Sequence, residues 1–155
     1  MTKWFLGSSL VLFMGVVSTS HANNQEAAKK AFETGVVAFQ QDQYESAVNA
    51  FRRAYALNPA WKLLYNIGQC EVALKRYGLA VDVFEQYLFE GGDNMSAARR
   101  DEVLSELDRL RKMTGTVLFN GPDGIDVIVD GVHRGVTPIT AGVLVAAGGV
   151  ARATR

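Results

Sequence analysis

The chain has 155 residues, room for one ordinary domain or two small ones. Its 48% hydrophobic and 21% charged content is that of a globular protein, and 16 basic side chains balance 16 acidic ones. That balance leaves no net field to hold nucleic acid or an anionic membrane, and a single cysteine, Cys70, excludes an intramolecular disulfide.

Residues 1–22 have the shape of a signal peptide. Lys3 is followed by an apolar run from Leu10 to Val17 and then by Ser20-His21-Ala22, with small residues one and three positions before the expected cut. The strongly apolar run is eight residues long, against the about 20 that a membrane-spanning helix needs. Cleavage after Ala22 is expected, with retention as an anchor as the alternative. Cleavage would leave 15 basic and 16 acidic side chains and His133 as the only histidine. The mature chain is expected in the periplasm or envelope of a Gram-negative bacterium.

From Ala27 to Gly91 the same helix pair is written twice. Gly35 returns as Gly68, Tyr44 as Tyr77, Ala47 as Ala80 and Phe51 as Phe84, each 33 positions later. A fixed period of this size marks stacked helical repeats. The first helix is expected over about Asn24 to Gln41, with Phe32, Gly35, Val36 and Phe39 on one stripe. Gly35 costs about 1 kcal/mol of helix propensity, so its use is close approach of a neighbouring helix. Gln41-Asp42-Gln43 is the turn, with Asp42 or Gln43 near the next N-cap. The second helix, Tyr44 to Leu57, points Tyr44, Ala47, Val48, Phe51 and Tyr55 inward. Asn58-Pro59 ends it and is expected to cap the third helix, Ala60 to Lys75, which aligns Trp61, Leu64, Tyr65, Gly68 and Val72. Cys70 sits there as a small buried hydrophobe rather than a reactive thiol. Arg76-Tyr77-Gly78 is read as the next turn. The fourth helix, Leu79 to Phe89, buries Ala80, Phe84, Tyr87 and Leu88 before Gly91-Gly92 stops it.

These residues resemble tandem tetratricopeptide repeats over residues 24–91. Gly35 and Gly68 match the family's small residue, Tyr44 and Tyr77 its turn tyrosine, and Ala47, Phe51, Ala80 and Phe84 its second-helix residues. Asn58-Pro59 matches the closing proline. Ala31, where a large aromatic is usual, and Gly91-Gly92, where a second closing proline would stand, depart from the pattern. The resemblance implies a protein-binding scaffold with a concave groove lined by Phe32, Val36, Phe39, Tyr65, Asn66, Gln69 and Val72. Some family members grip a C-terminal carboxylate with Lys and Asn in the first helix. Phe32 and Val36 stand at the matching positions, and only Asn66 is retained, so an apolar segment is the expected occupant.

A third copy would place glycine at position 101, where Asp101 stands. The segment 94–114 instead reads as one amphipathic helix from about Ser96 to Met113, with Val103, Leu107, Leu110 and Met113 on its apolar stripe and Leu104 beside it. A capping helix is expected, with its interleaved charges forming a solvated face.

At Gly115 the hydrophobic period changes from 3.6 to 2. Thr116 to Phe119, Ile125 to Val129, Val132 to Gly135 and Val143 to Val145 read as strands, with Asp130-Gly131 as a hairpin turn. Residues 115–155 resemble the PEGA domain, a small β-sandwich module of bacterial surface and envelope proteins. Pro122-Asp123-Gly124-Ile125 stands at the motif position, with Ile in place of Ala, followed by Val129-Asp130-Gly131, Gly135 and Thr137-Pro138. Family members continue past the position of Gly148 into further strands. The expectation is a partial sandwich with a bare strand edge, from a truncated or frame-shifted reading of a longer protein, which the DNA after codon 155 would test.

No active site is legible. Asp123, Asp126 and Asp130 lack the spacing of a calcium loop. His133 has no second histidine or cysteine in the mature chain for zinc, and no nucleophile elbow or phosphate loop is present. The expected fold is mostly α: a solenoid of two helix pairs plus a capping helix, then a partial β-sandwich. The expected role is a non-catalytic scaffold without cofactor or metal. Its expected partner is a protein or peptide, with a cell-wall or envelope component as a further candidate. An accessory module of a secretion or signalling system is the alternative.

Overall fold

The computed structural model describes residues 17–119 and 121–154. Residues 1–16, which hold most of the expected targeting segment, lie outside the described residues. Four helices come first: α1 (Val17–Gln40), α2 (Tyr44–Leu57), α3 (Trp61–Ala73) and α4 (Tyr77–Gly91). They pack as two antiparallel pairs. α1 starts earlier than expected and runs through the expected cut after Ala22.

The 33-residue period is written into the backbone as well as the side chains. Asp42 and Lys75, one period apart, take left-handed φ values of 58° and 60°. The next residues, Gln43 and Arg76, follow at φ −84°, ψ 61° and φ −86°, ψ 61°. Gln43 donates its N–H to the Ala38 carbonyl and Arg76 to the Glu71 carbonyl, both at 2.9 Å. The second turn is therefore Leu74–Arg76, and Tyr77 opens α4 as Tyr44 opens α2. This corrects the placement of a turn at residues 76–78.

Gln43 takes the N-cap position of α2, as expected, with no side-chain cap bond among the described residues; the Asp42 carboxylate accepts from the Tyr44 hydroxyl. The cap expected for α3 does not form. Asn58 closes α2, donating its N–H to the Ala54 carbonyl at 3.0 Å, and Ala60 stands at the start of α3. Asn58-Pro59 thus works as a stop only.

The two helix glycines seat the two core phenylalanines. A Cβ on Gly35 would lie 2.6 Å from the Phe51 ring, and one on Gly68 would lie 2.5 Å from the Phe84 ring. Around them Ala47, Val48, Leu64, Ile67, Ala80 and Tyr87 are buried. Ala54 is buried where Tyr55 was expected, and Tyr55 donates its hydroxyl to Glu90 at 2.6 Å. Cys70 is fully buried, and burial pushes its thiol up to about 12. The thiol stays protonated and inert.

The charged residue in this core is Glu71, which has no solvent exposure. Arg52 donates to its Oε1 at 2.7 Å, and Arg76 stands 3.8 Å from Oε2 while pairing with Glu45 at 2.9 Å. Burial raises the Glu71 carboxyl above its ordinary range, and the two arginines pull against that rise.

A short 3-10 turn (Gly92–Asn94) leads to α5 (Ala97–Arg111). The Ser96 hydroxyl accepts the Arg99 N–H at 3.3 Å as its N-cap. Val103, Leu107 and Leu110 are buried in the helical core, while Leu104 stays exposed. The opposite face carries the pairs Arg109–Glu106 and Lys112–Asp108, as expected of a solvated face.

Five strands follow: β1 (Thr114–Phe119), β2 (Asp126–Val129), β3 (Val132–Val136), β4 (Ile139–Ala146) and β5 (Ala151–Thr154). β1 pairs with β4, and β3-β2-β5 form a second antiparallel sheet. Val127 and Val129 of one sheet meet Val143 and Val145 of the other in a second small core. Asp130-Gly131 makes the β2–β3 hairpin with both φ values positive. β5 was not expected from the sequence. Its register on β2 pairs Val127 with Ala153 and Val129 with Ala151.

Thr137, buried, ties this module together. Its hydroxyl donates to the Pro122 carbonyl and accepts the Ile125 N–H at 3.0 Å. Its backbone N–H and carbonyl bond Ile125 and Gly124 at 2.9 and 3.0 Å. The Pro122-to-Ile125 turn and the Thr137-Pro138 segment, distant in sequence, are one hydrogen-bonded unit.

The module sits on α4. Gly78 lies so close to β4 that a Cβ there would be 2.1 Å from the Leu144 carbonyl oxygen. Arg134 pairs with Asp82 of α4, and Ala147 donates its N–H to the Met113 carbonyl at 3.0 Å.

Candidate partner-binding groove

α1 and α3 both line two depressions that share Asn66. The first, about 390 Å³, is lined by Val36, Phe39, Phe51, Tyr65, Asn66 and Gln69. The second, about 610 Å³, has Ala28, Phe32 and Leu63 beside the charged rim of Glu26, Lys29 and Lys62. Six of the seven residues expected in the groove line one or the other. Val72 does not; it is partly buried and packs against the helical core.

The aromatic side chains are only partly satisfied by their neighbours. Phe32 and Phe39 are each 37% exposed. Phe32 leans on Phe51 with ring centroids 5.8 Å apart, and Phe39 meets Tyr44 edge-on at 5.4 Å. Each ring is thus held in place from behind by an aromatic of α2 and bare in front. Such rings offer apolar area at little ordering cost to a ligand. Asn66 and Gln69 stand beside them with amide donors and acceptors.

Tyr65 joins the groove to α5. Its ring packs on Phe84 and Tyr87 at 6.0 and 5.7 Å. Its hydroxyl donates to Glu102 at 2.9 Å, and the Arg99 guanidinium lies 4.5 Å over the ring while holding both Glu102 oxygens at 2.8 Å. Burial, and then the bond to Glu102, raise the Tyr65 hydroxyl above its ordinary range, so it remains a donor at neutral pH. Arg99 and Glu102 are therefore fixed beside the groove.

Lys29, Lys62, Arg99 and Glu102 were not expected at this site. Helical spacing held the signal for two of them: Lys29 precedes Phe32 by three residues and Lys62 precedes Asn66 by four. The groove sets aromatic rings beside amides at its Phe39 end and beside charged side chains at its Lys29–Lys62 end. Among the described residues no group of three or more His, Cys, Asp or Glu side chains is placed to hold a metal. No helix of the described residues is long and apolar enough to cross a membrane.

No curated protein and no solved structure matches the chain. The helical segment, however, carries a family signature that agrees with its paired helices, repeated turns and shared concave face: residues 32–94 match the tetratricopeptide repeat family, a protein-interaction fold.

Proposed function

We propose that this chain is an exported, non-catalytic docking protein of the bacterial envelope, whose groove between α1 and α3 holds a short apolar segment of a partner protein. The observation that carries this reading is the pair Phe32 and Phe39, backed by Phe51 and Tyr44 and part-exposed where they line the two depressions. Fully burying a phenylalanine gains about 1.5–3 kcal/mol, so covering what remains exposed gives on the order of 1 kcal/mol per ring. Asn66 and Gln69 would bond the main chain of the bound segment. Two helix pairs leave room for a short segment only.

Export is supported by the signal-like pattern of residues 1–22. An envelope role is supported by the likeness of the β module to the PEGA domain. The Thr137 bonds to Pro122 and Ile125 give a physical reason for that motif order. An anchoring role for the module predicts binding to purified cell-wall material at low salt, and failure to bind would count against it.

The test of the groove is a pull-down from the envelope fraction with the parent protein and Phe39→Asp, both checked for helical content. A partner captured by the parent and lost by the variant supports the groove. An unchanged catch overturns it.

A further inference from the structure

A second recess lies on another part of the molecule, where the α3–α4 turn meets the β module. It encloses about 830 Å³ and shares no lining residue with the groove. One wall is Leu74, Lys75, Arg76 and Tyr77. The other is the outer face of the β3-β2-β5 sheet, where Ile128 and Arg152 are register partners and so point the same way. Val127 and Val129 point the other way, into the module's core.

The charges lining the recess are unequal. Lys75, Arg76 and Arg152 face one carboxylate, Asp130. Asp130 is already engaged, since its Oδ1 accepts the Val150 N–H at 3.0 Å. Arg76 is held by Glu45 and Glu71. Lys75 and Arg152 make no ion pair among the described residues. The repeat itself shows that this charge is not required by the turn. The first turn has the same backbone geometry with Asp42-Gln43, and the second carries Lys75-Arg76. The second of these faces the β module.

We propose that this recess binds an acidic segment of a partner protein, its carboxylates reaching Lys75 and Arg152 across the apolar floor at Ile128. The size falls within the about 300–1,000 Å³ usual for ligand sites, which suits a few residues of extended chain. The site is independent of the groove, so one partner could be gripped at an apolar and an acidic stretch, or two partners at once.

The probe is fluorescein-labelled hexaglutamate, with labelled hexaglutamine as control, followed by anisotropy against the full chain at low and high salt. Hexaglutamate is expected to bind, to weaken as salt rises, and to bind more tightly than hexaglutamine. Lys75→Gln with Arg152→Gln should weaken it roughly tenfold, the scale of two charge contacts at a solvent edge. Both side chains are exposed, so the double variant should keep the parent's circular dichroism. Lys29→Gln with Lys62→Gln, at the groove rim, should leave binding unchanged. No preference for hexaglutamate, binding that survives the Lys75/Arg152 change, or loss caused equally by the Lys29/Lys62 change would each overturn the proposal.

Discussion

Replacing Gly78 with alanine tests how the two modules are joined. Gly78 is buried in the first turn of α4 against β4. An alanine Cβ would lie 2.1 Å from the Leu144 carbonyl oxygen and 2.7 Å from its carbon, where real contacts do not fall under 3.0 Å. The obstacle is backbone, so no side-chain rotation relieves it. α4 and β4 must part, and the parting strains the Asp82–Arg134 pair beside them. Overpacking of this kind costs about 1–3 kcal/mol. Alanine returns up to about 1 kcal/mol of helix propensity, and less in a first turn. The net expectation is a loss of ~1–2 kcal/mol, or roughly 2–8 °C in Tm for a chain of this size. Urea denaturation followed by circular dichroism measures it, with Gly115→Ala as control because no atom of the described residues lies within 4 Å of a Cβ there. Limited proteolysis should cut the β module of Gly78→Ala sooner than that of the parent. A variant as stable as the parent, with equal proteolysis, would show that α4 and β4 do not meet in this way.

Thr137→Val keeps the shape but leaves the Ile125 N–H and the Pro122 carbonyl without their side-chain partner, at a cost of about 1–3 kcal/mol by denaturation; a neutral result would remove Thr137 as the tie of the module. Glu71→Gln should change the pH dependence of stability. A carboxyl raised by burial contributes stability that is full below its unfolded pKa and is lost as pH rises through the folded value. The variant should therefore gain on the parent as pH rises above the ordinary glutamate range, read by thermal melts across pH 4–8. A parent that instead gains on the variant as pH rises would mean that Arg52 and Arg76 outweigh desolvation.

The repeat was legible because its signals are local and doubled. Tyr44 and Tyr77, Phe51 and Phe84, Gly35 and Gly68 each mark one position in one helix, and stacking returns them to equivalent places. Residues whose role comes from several elements at once were not legible. Glu71 drew no expectation from the sequence, and its burial is offset by Arg52 from α2 and Arg76 from the next turn. β5 reads as Ala-Arg-Ala-Thr, without the β-branched alternation of a strand, and it owes its place to the register offered by Val127 and Val129. Of the groove-lining residues, Phe32, Val36, Phe39, Tyr65, Asn66 and Gln69 were implied by the resemblance to tetratricopeptide repeats. Val72 turned inward one helical turn beyond Gly68, and Lys29, Lys62 and the Arg99–Glu102 pair entered only once α1, α3 and α5 were set side by side.

The docking claim is met most directly by site-specific photo-crosslinking of the full chain in expressing cells. A benzoylphenylalanine placed at position 39 looks into the groove. The same residue at position 89 sits on α4, where Phe89 is 87% exposed and lines none of the groove. The account predicts a defined crosslinked partner from position 39 and none from position 89. A partner captured from position 89 and not from position 39 would contradict it.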